Sequence, residues 1–246
     1  DGPLLSLRRT ALTAIRKKIA DTGAQSAPLF QALFLGVKDD LDTLDAELFR
    51  RGGCSHILAL SGMHLGIISG LLFLLLRPFA GRRGSFFGVT VIIALYIGLT
   101  GFRSALVRAG LMFFLFGLAK INGRRADIRS VFLIVFLLLS VLTPRALSSL
   151  SFQLSFLALA GILFLAPQVH SLWKPYVPAA VSLPVSASLA AQTATAPLIA
   201  AAFGTIYPAG IIASMLVTPL ITLFMTGGML ALLIPFSPLT EYLFSA

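Results

Sequence analysis

From Ile57 almost to its end the chain is apolar, and residues 175 to 240 carry no charged side chain at all. A stretch of that length and character cannot be folded as a water-covered globule, because too few charges exist to solvate its surface. Of the 246 residues, 57% are hydrophobic and 11% charged, against roughly a quarter charged in an ordinary soluble domain. Mean hydropathy is +0.95. These values exclude a soluble enzyme, a disordered tail and a secreted disulfide scaffold. The one cysteine, Cys54, permits neither an internal disulfide nor a multi-cysteine metal site.

Segmenting the apolar region gives candidate spans at about 57–76, 86–102, 104–119, 130–142, 147–166, 179–203 and 208–236, the last long enough to hold two. The 130–142 segment, bounded by Arg129 and Pro144, falls short of the roughly 20 residues a straight span needs. Ten of the 13 prolines follow residue 143, and Pro184, Pro197 and Pro219 interrupt apolar runs. Short or broken helices are tolerated at membrane depth only where protein or a water-filled cavity satisfies the freed backbone. The expectation is an all-α polytopic membrane protein of about seven or eight spans, several short or proline-broken, around an internal cavity.

Residues 1–27 form a separate amphipathic, basic segment. Leu4, Leu7, Ala11, Ile15 and Ile19 share a stripe while Arg9, Arg16 and Lys17 face away. This is the pattern of a helix lying on a membrane surface or packed on a neighbouring domain. Residues 28–246 make up the membrane domain. Its first part holds a run, Leu29 to Val37, too short to span, then an acidic patch of Asp39, Asp40, Asp42, Asp45 and Glu47. The chain starts at Asp1 without a signal pattern, and it is expected to belong to a longer protein. Arg77, Arg82 and Arg83 follow the first span; Lys120, Arg124, Arg125 and Arg129 the third; Lys174 the fifth. With single crossings these loops share one side, the cytoplasmic one, and the N-terminal segment lies outside.

Several chemistries are missing. There is no phosphate loop of the G-x-x-x-x-G-K-[ST] type. Past residue 47 only Asp127 and Glu241 are acidic, so the spans hold no carboxylate relay of the kind that proton- or sodium-driven carriers use. His56, His64 and His170 are scattered, which argues against a catalytic metal, and two-metal hydrolysis lacks its clustered carboxylates. No cofactor is expected.

The polar residues within the spans are therefore the informative ones. Ser61 and His64 lie three apart on one helical face. They can be read as a catalytic pair without an orienting acid, or as polar packing lining a cavity. Arg108 lies inside a span with Ser104 one turn before it. An arginine there costs about 2.5–3.5 kcal/mol on insertion scales and must face a partner or an aqueous path. With no carboxylate in the spans, Arg108 is the foremost candidate anion contact. Arg103 can snorkel from a helix end. Gln153, among Ser148, Ser151 and Ser155, and Gln192, between Ser188 and Thr195, are either interhelical hydrogen-bonding groups or path-lining ones. Some of the 20 phenylalanines could stack nucleobases.

Leu58-Ala59-Leu60-Ser61-Gly62-Met63-His64-Leu65-Gly66 resembles the "L-A-I-S-G-L-H-V-G" signature of the competence domain of the ComEC family, inner-membrane channels for DNA uptake. Ala105-Leu106-Val107-Arg108-Ala109 resembles that family's "V-L-R-A", and Gly123-Arg124-Arg125-Ala126-Asp127 its "G-R-R-x-D". Phe152-Gln153-Leu154-Ser155-Phe156 matches "F-Q-L-S-F", and Ala190-Ala191-Gln192 before Pro197 matches its "A-A-Q" stretch. Leu48-Phe49-Arg50-Arg51 before Ser55-His56 fits as well. The order is the family's own, from about Leu29 to the end. Thr143-Pro144 and Ser149-Leu150-Ser151 depart from positions where the family often has Asp-Pro and an acidic or glycine-containing step. The resemblance implies a channel passing single-stranded DNA across the bacterial cytoplasmic membrane. It further implies an extracytoplasmic OB-type domain, a nuclease domain and a cytoplasmic helicase-type motor as partners, alongside membrane lipid. On this reading the path residues are Arg108, Arg103, Ser104, Ser61, His64, Gln153 and Gln192, with no catalytic residue. The alternatives are an intramembrane hydrolase or transferase using Ser61 and His64, and a non-conducting scaffold. The net charge of +10 is largely consumed by the N-terminal segment and the basic loops, so it adds little to the argument.

Overall fold

The computed structural model describes residues 3–20, 26–54, 57–204 and 210–233. Ser55 and His56, and the ends of the 208–236 segment, lie outside the described residues. Every regular element among those described is helical: α1 (Pro3–Ala20), α2 (Ala27–Leu35), α3 (Thr43–Arg51), α4 (Gly62–Thr100), α5 (Ser104–Ile121), α6 (Ile128–Leu142), α7 (Leu150–Ala160), α8 (Ala166–Trp173), α9 (Ala179–Phe203) and α10 (Gly210–Leu233). Five helical stretches are long and apolar enough to cross a membrane: α4, α5, the continuous run Leu150–Trp173, α9 and Ile212–Leu232 within α10. Leu74, Phe79, Leu95, Leu137, Val141, Leu220 and Leu223 are all more than 60% exposed. That quantity of bare apolar surface is a lipid face.

Local chemistry sets the element ends. Ser61 is extended (φ −125°), which delays the start of α4 to Gly62 and leaves Ile57–Leu60 outside the helix that the hydropathy pattern begins at 57. Asp42, Asp127 and Ser149 each accept a backbone N–H in the first turn of α3, α6 and α7, the favoured use of short polar side chains at an N-cap. Gly101, at φ 95°, closes α4 in a conformation that glycine adopts without a Cβ clash.

α4 is a hairpin. Gly81 has φ 62° and ψ −178° inside an otherwise helical run of 39 residues. In a straight helix the twelve residues from Leu76 to Gly88 would span about 18 Å. Instead a Cβ built on Gly88 would lie 3.5 Å from Leu76 Cδ1. Further out, Leu65, Ile93 and Ile97 converge on the bare face of Gly110 in α5. The two arms of α4, 62–80 and 82–100, therefore run antiparallel with α5 against both.

The prolines do not break α9 or α10, as the sequence pattern suggests they should. Pro184 and Pro197 sit within α9, and Pro219 within α10, and both helices continue through them. A proline removes one donor, and packing on neighbouring helices carries the turn. The irregular turn falls elsewhere, at Gly161–Leu165, a π-helical step between α7 and α8. A Cβ on Gly161 would collide with the Ala190 carbonyl of α9, so this glycine lets two backbones approach. The expected span at 147–166 is correspondingly displaced: its helix starts at Leu150 and runs through to Trp173.

Packing joins these helices in a closed circuit. α4 packs on α5, α5 on α7, α7 on α9, α9 on α10, and α10 on α4. Met63 and Ile67 of the first α4 arm pack in the cluster that holds Ile221 and Met225 of α10. α6 lies outside the circuit, against α5 and α7, through Val131, Val135 and Leu139. α1 packs through Leu12, Ile15 and the buried Ile19 in the cluster shared by α2, α4 and α10. Arg8 Nε donates to the Leu99 carbonyl at 2.9 Å, and Arg16 pairs with Asp40 at 2.8 Å.

Candidate functional site

Three helix beginnings meet at one point in the circuit. The start of α4 brings Gly62 to α5, where a Cβ built on it would lie 3.5 Å from Ala109 Cβ and 3.9 Å from Arg108 Nη2. Residues 104 and 108 are one turn apart and both look toward α7, as their spacing requires. Ser104 Oγ is 3.1 Å from Ser151 Oγ, and the Arg108 guanidinium carbon stands 5.2 Å from the centre of the Phe156 ring. Arg108 is 7% exposed. Its Nε and Nη1 have no hydrogen-bond partner, and no ion pair reaches it among the described residues. A cation over a ring gains up to about 2 kcal/mol when desolvated, which falls short of a buried guanidinium's full demand for acceptors.

Ser61 and His64 stand beside this arginine through Gly62. The Ser61 N–H donates to His64 Nδ1 at 3.2 Å, and Ser61 Oγ lies 2.9 Å from the same nitrogen. Nδ1 is therefore an acceptor, and the neutral ring carries its proton on Nε2. His64 Nε2 is buried without a partner. No carboxylate orients the ring from that side among the described residues, and the pair also closes the first turn of α4.

The other candidates are placed differently. Arg103 is exposed, precedes α5, and donates to the Gly36 carbonyl at 3.2 Å. Gln153 Nε2 donates to the Leu147 carbonyl at 2.8 Å, fastening the turn before α7. Gln192 Nε2 reaches Ser188 Oγ, one turn back on α9, at 3.5 Å. Neither amide hydrogen-bonds Arg108 among the described residues. The structure thus gathers Arg108, Ser104, Ser61 and His64, while Arg103, Gln153 and Gln192 bond elsewhere.

Sequence reasoning overlooked two features here. Phe156 as the ring facing Arg108 belongs to another helix and has no local signal. Gly62, Gly66 and Gly70 do have one: a four-residue spacing that puts all three on one helical face. A Cβ on Gly66 or on Gly70 would meet nothing within 4 Å. Two cavities, of about 420 and 290 Å³, lie along the C-terminal half of α5 rather than beside Arg108. Among the described residues no group of three histidine, cysteine or acidic side chains could hold a metal ion.

In a helical membrane protein, an arginine enclosed where three helices begin, with no ion pair among the described residues, marks a functional site. Residues 33–246 match the sequence profile of the competence protein family, and the chain belongs to that family. It is 29% identical over 232 residues to an uncharacterized protein of Aquifex aeolicus (strain VF5), covering 94% of this chain and 53% of that protein. It is 26% identical over 154 residues to ComE operon protein 3 of Bacillus subtilis (strain 168), covering 62% of this chain and 20% of that protein. The chain thus spans about half the length of the first relative and a fifth of the second. No solved structure matches it. Family membership supports a role in DNA uptake and, for this region, a transport or scaffold role rather than an enzymatic one.

Proposed function

We propose that this domain conducts single-stranded DNA across the bacterial cytoplasmic membrane, with α4, α5, α7, α9 and α10 as the walls of the path. The carrying observation is Arg108, a buried guanidinium with two unpartnered nitrogens and no carboxylate in any span to neutralise it. A passing phosphate supplies the missing acceptor, and the buried Phe156 ring holds the guanidinium in place for it. Transport requires release as well as binding, so one cation among small groups such as Gly62, Gly66 and Ser104 suits a conduit better than a basic tunnel does. Counting the two arms of α4 separately and including α6 gives seven crossings. The basic ends of the α4 hairpin, α5 and α8 then face the cytoplasm, and α1 to α3 lie outside. The chain lacks a nucleotide-binding loop, so force comes from a separate cytoplasmic motor. OB-type and nuclease domains would stand upstream and downstream of the path.

Arg108→Ala, checked for expression and folding, should abolish transformation while DNA still binds at the cell surface. Wild-type transformation by that variant would remove Arg108 from the mechanism. The 2.9 Å Ser61–His64 contact favours a second reading, an intramembrane acyl or phosphoryl transferase. A serine-directed probe that labels Ser61 only when His64 is intact would support it, and lack of labelling would dispose of it.

A further inference from the structure

The smaller cavity, about 290 Å³, lies between α4 and α5 near the turn of the hairpin and is lined by Gly70, Phe73, Phe113 and Phe116, with Arg82 and Lys120 among its walls. Its volume is at the low end for small-ligand sites, and its aromatic lining with a few charged groups has their usual composition. Both arms of the α4 hairpin and α5 contribute to its walls. On α4, Phe73 packs against the cluster that holds Leu65 and Ile68, and Gly70 lies one turn before it on the same side. On α5, Phe116 and Lys120 continue at four-residue steps the row begun by Arg108 and Met112, drifting toward α4. Lys120 is about 18 Å beyond Arg108 along the helix axis.

The charges of this cavity are free of counter-ions. Arg82 and Lys120 make no ion pair among the described residues. Lys120 Nζ instead sits 5.4 Å from the centre of the Phe116 ring. Asp127, the sole described acid after residue 47, is occupied at the N-terminus of α6 by the Arg129 N–H and Ser130. The floor is bare: a Cβ on Gly70 would touch nothing within 4 Å.

We infer that this cavity is a second DNA station, holding one nucleotide of the single strand at the cytoplasmic end of the path, with a base against Phe113 and Phe116 and a phosphate on Lys120 and Arg82. The inference rests on the conduit reading above. Stacking on these rings at about 1–3 kcal/mol per base holds the strand only while a motor is disengaged, which makes the station a brake against backsliding.

The test uses the full chain in nanodiscs of zwitterionic lipid and an oligodeoxynucleotide carrying 5-iodouracil, cross-linked by ultraviolet light and mapped by mass spectrometry. Cross-links are expected on the α5 peptide with Phe113 and Phe116 as well as near Phe156. Gly70→Leu starts a side chain where a Cβ meets nothing within 4 Å and strengthens the helix; it should cut the α5 cross-links at least tenfold and spare those near Phe156. Arg82→Gln with Lys120→Gln should lower the slope of log affinity against log salt by about 0.7, the one phosphate the station holds. Cross-links near Phe156 with none on α5, or α5 cross-links indifferent to Gly70→Leu, overturn the station and leave the conduit standing. Absence of cross-links at both places overturns the conduit and the station together. In parallel nanodiscs containing phosphatidylglycerol, a bound phosphatidylglycerol that Gly70→Leu displaces, with DNA cross-links unchanged, makes the cavity a lipid site and overturns the inference.

Discussion

The glycines of α4 and α5 divide into two kinds, and the division yields a quantitative test of the helix circuit. At Gly117 an added Cβ would fall on the Phe86 ring. Forcing that contact into a packed core costs about 1–3 kcal/mol, against a helix-propensity gain of at most about 1 kcal/mol for removing a glycine. Gly117→Ala should therefore destabilise by up to about 2 kcal/mol. At Gly66 the same Cβ meets nothing within 4 Å, so Gly66→Leu keeps the propensity gain of up to about 1 kcal/mol while, on the conduit reading, adding four carbons to the wall of the path. Gly98 is equally open, but it shares a helical stripe with the exposed Val91 and Leu95 on the outer side of the hairpin. Gly98→Leu serves as the control. The measurements are unfolding of purified protein in mild detergent and flux of a fluorescent oligonucleotide into proteoliposomes with an imposed driving force. Gly66→Leu should unfold no earlier than wild type yet pass DNA at least tenfold more slowly, a barrier increase of about 1.4 kcal/mol. Gly98→Leu should match wild type in both. Wild-type flux through Gly66→Leu, or equal loss in Gly98→Leu, would refute the placement of Gly66 on the path.

Two further predictions concern the segments before the spans. Arg50 and Arg51 hydrogen-bond Glu47 at 2.7–2.8 Å and hold its carboxyl down from 4.5 to about 2; a depressed folded value means that the contribution to α3 is complete above about 4.5 and is lost as pH falls toward 2. Hydrogen exchange of α3 should stay level from pH 7 to about 4.5, once corrected for intrinsic rates, and rise below it, and Glu47→Gln should remove that dependence. Arg8→Ala deletes the charged hydrogen bond to the Leu99 carbonyl, worth about 1.5–3 kcal/mol; limited proteolysis should then cut α1 while the later helices stay protected, and unchanged resistance would show that Leu12, Ile15 and Ile19 hold α1 alone.

The hydropathy pattern located most of the helices because lipid imposes a length on every apolar run. Both ends of α9 fall where composition changes, at Pro178 and Gly204. The hairpin was less legible. Arg77, Arg82 and Arg83 suggested a loop, yet helix continues on both sides of Gly81, because one glycine at positive φ reverses the chain. For the site, the common face of Ser104 and Arg108 follows from a one-turn spacing, whereas Phe156 is selected by how α5 meets α7, which no local pattern encodes. The bare stripe of Gly62, Gly66 and Gly70 was readable in principle; what it borders depends on α10 and α5 arriving on either side.

The Gly81 reversal also decides which part of the molecule can yield. Two crossings joined by a one-residue turn, and clamped together by α5 on their shared seam, behave as a single plank. The opposite side has Pro184 and Pro197 in α9 and Pro219 in α10, and its threonine hydroxyls are spent on their own helices, as Thr195 to Ala191 and Thr222 to Thr218. Among the described residues the polar side-chain ties that reach α9 and α10 from other segments include Ser182 with His170, Cys54 with Ser214, and Lys18 to the Leu232 carbonyl. On the conduit reading, the widening that admits a strand would fall to α9 and α10, with the hairpin and α5 holding the arginine in place.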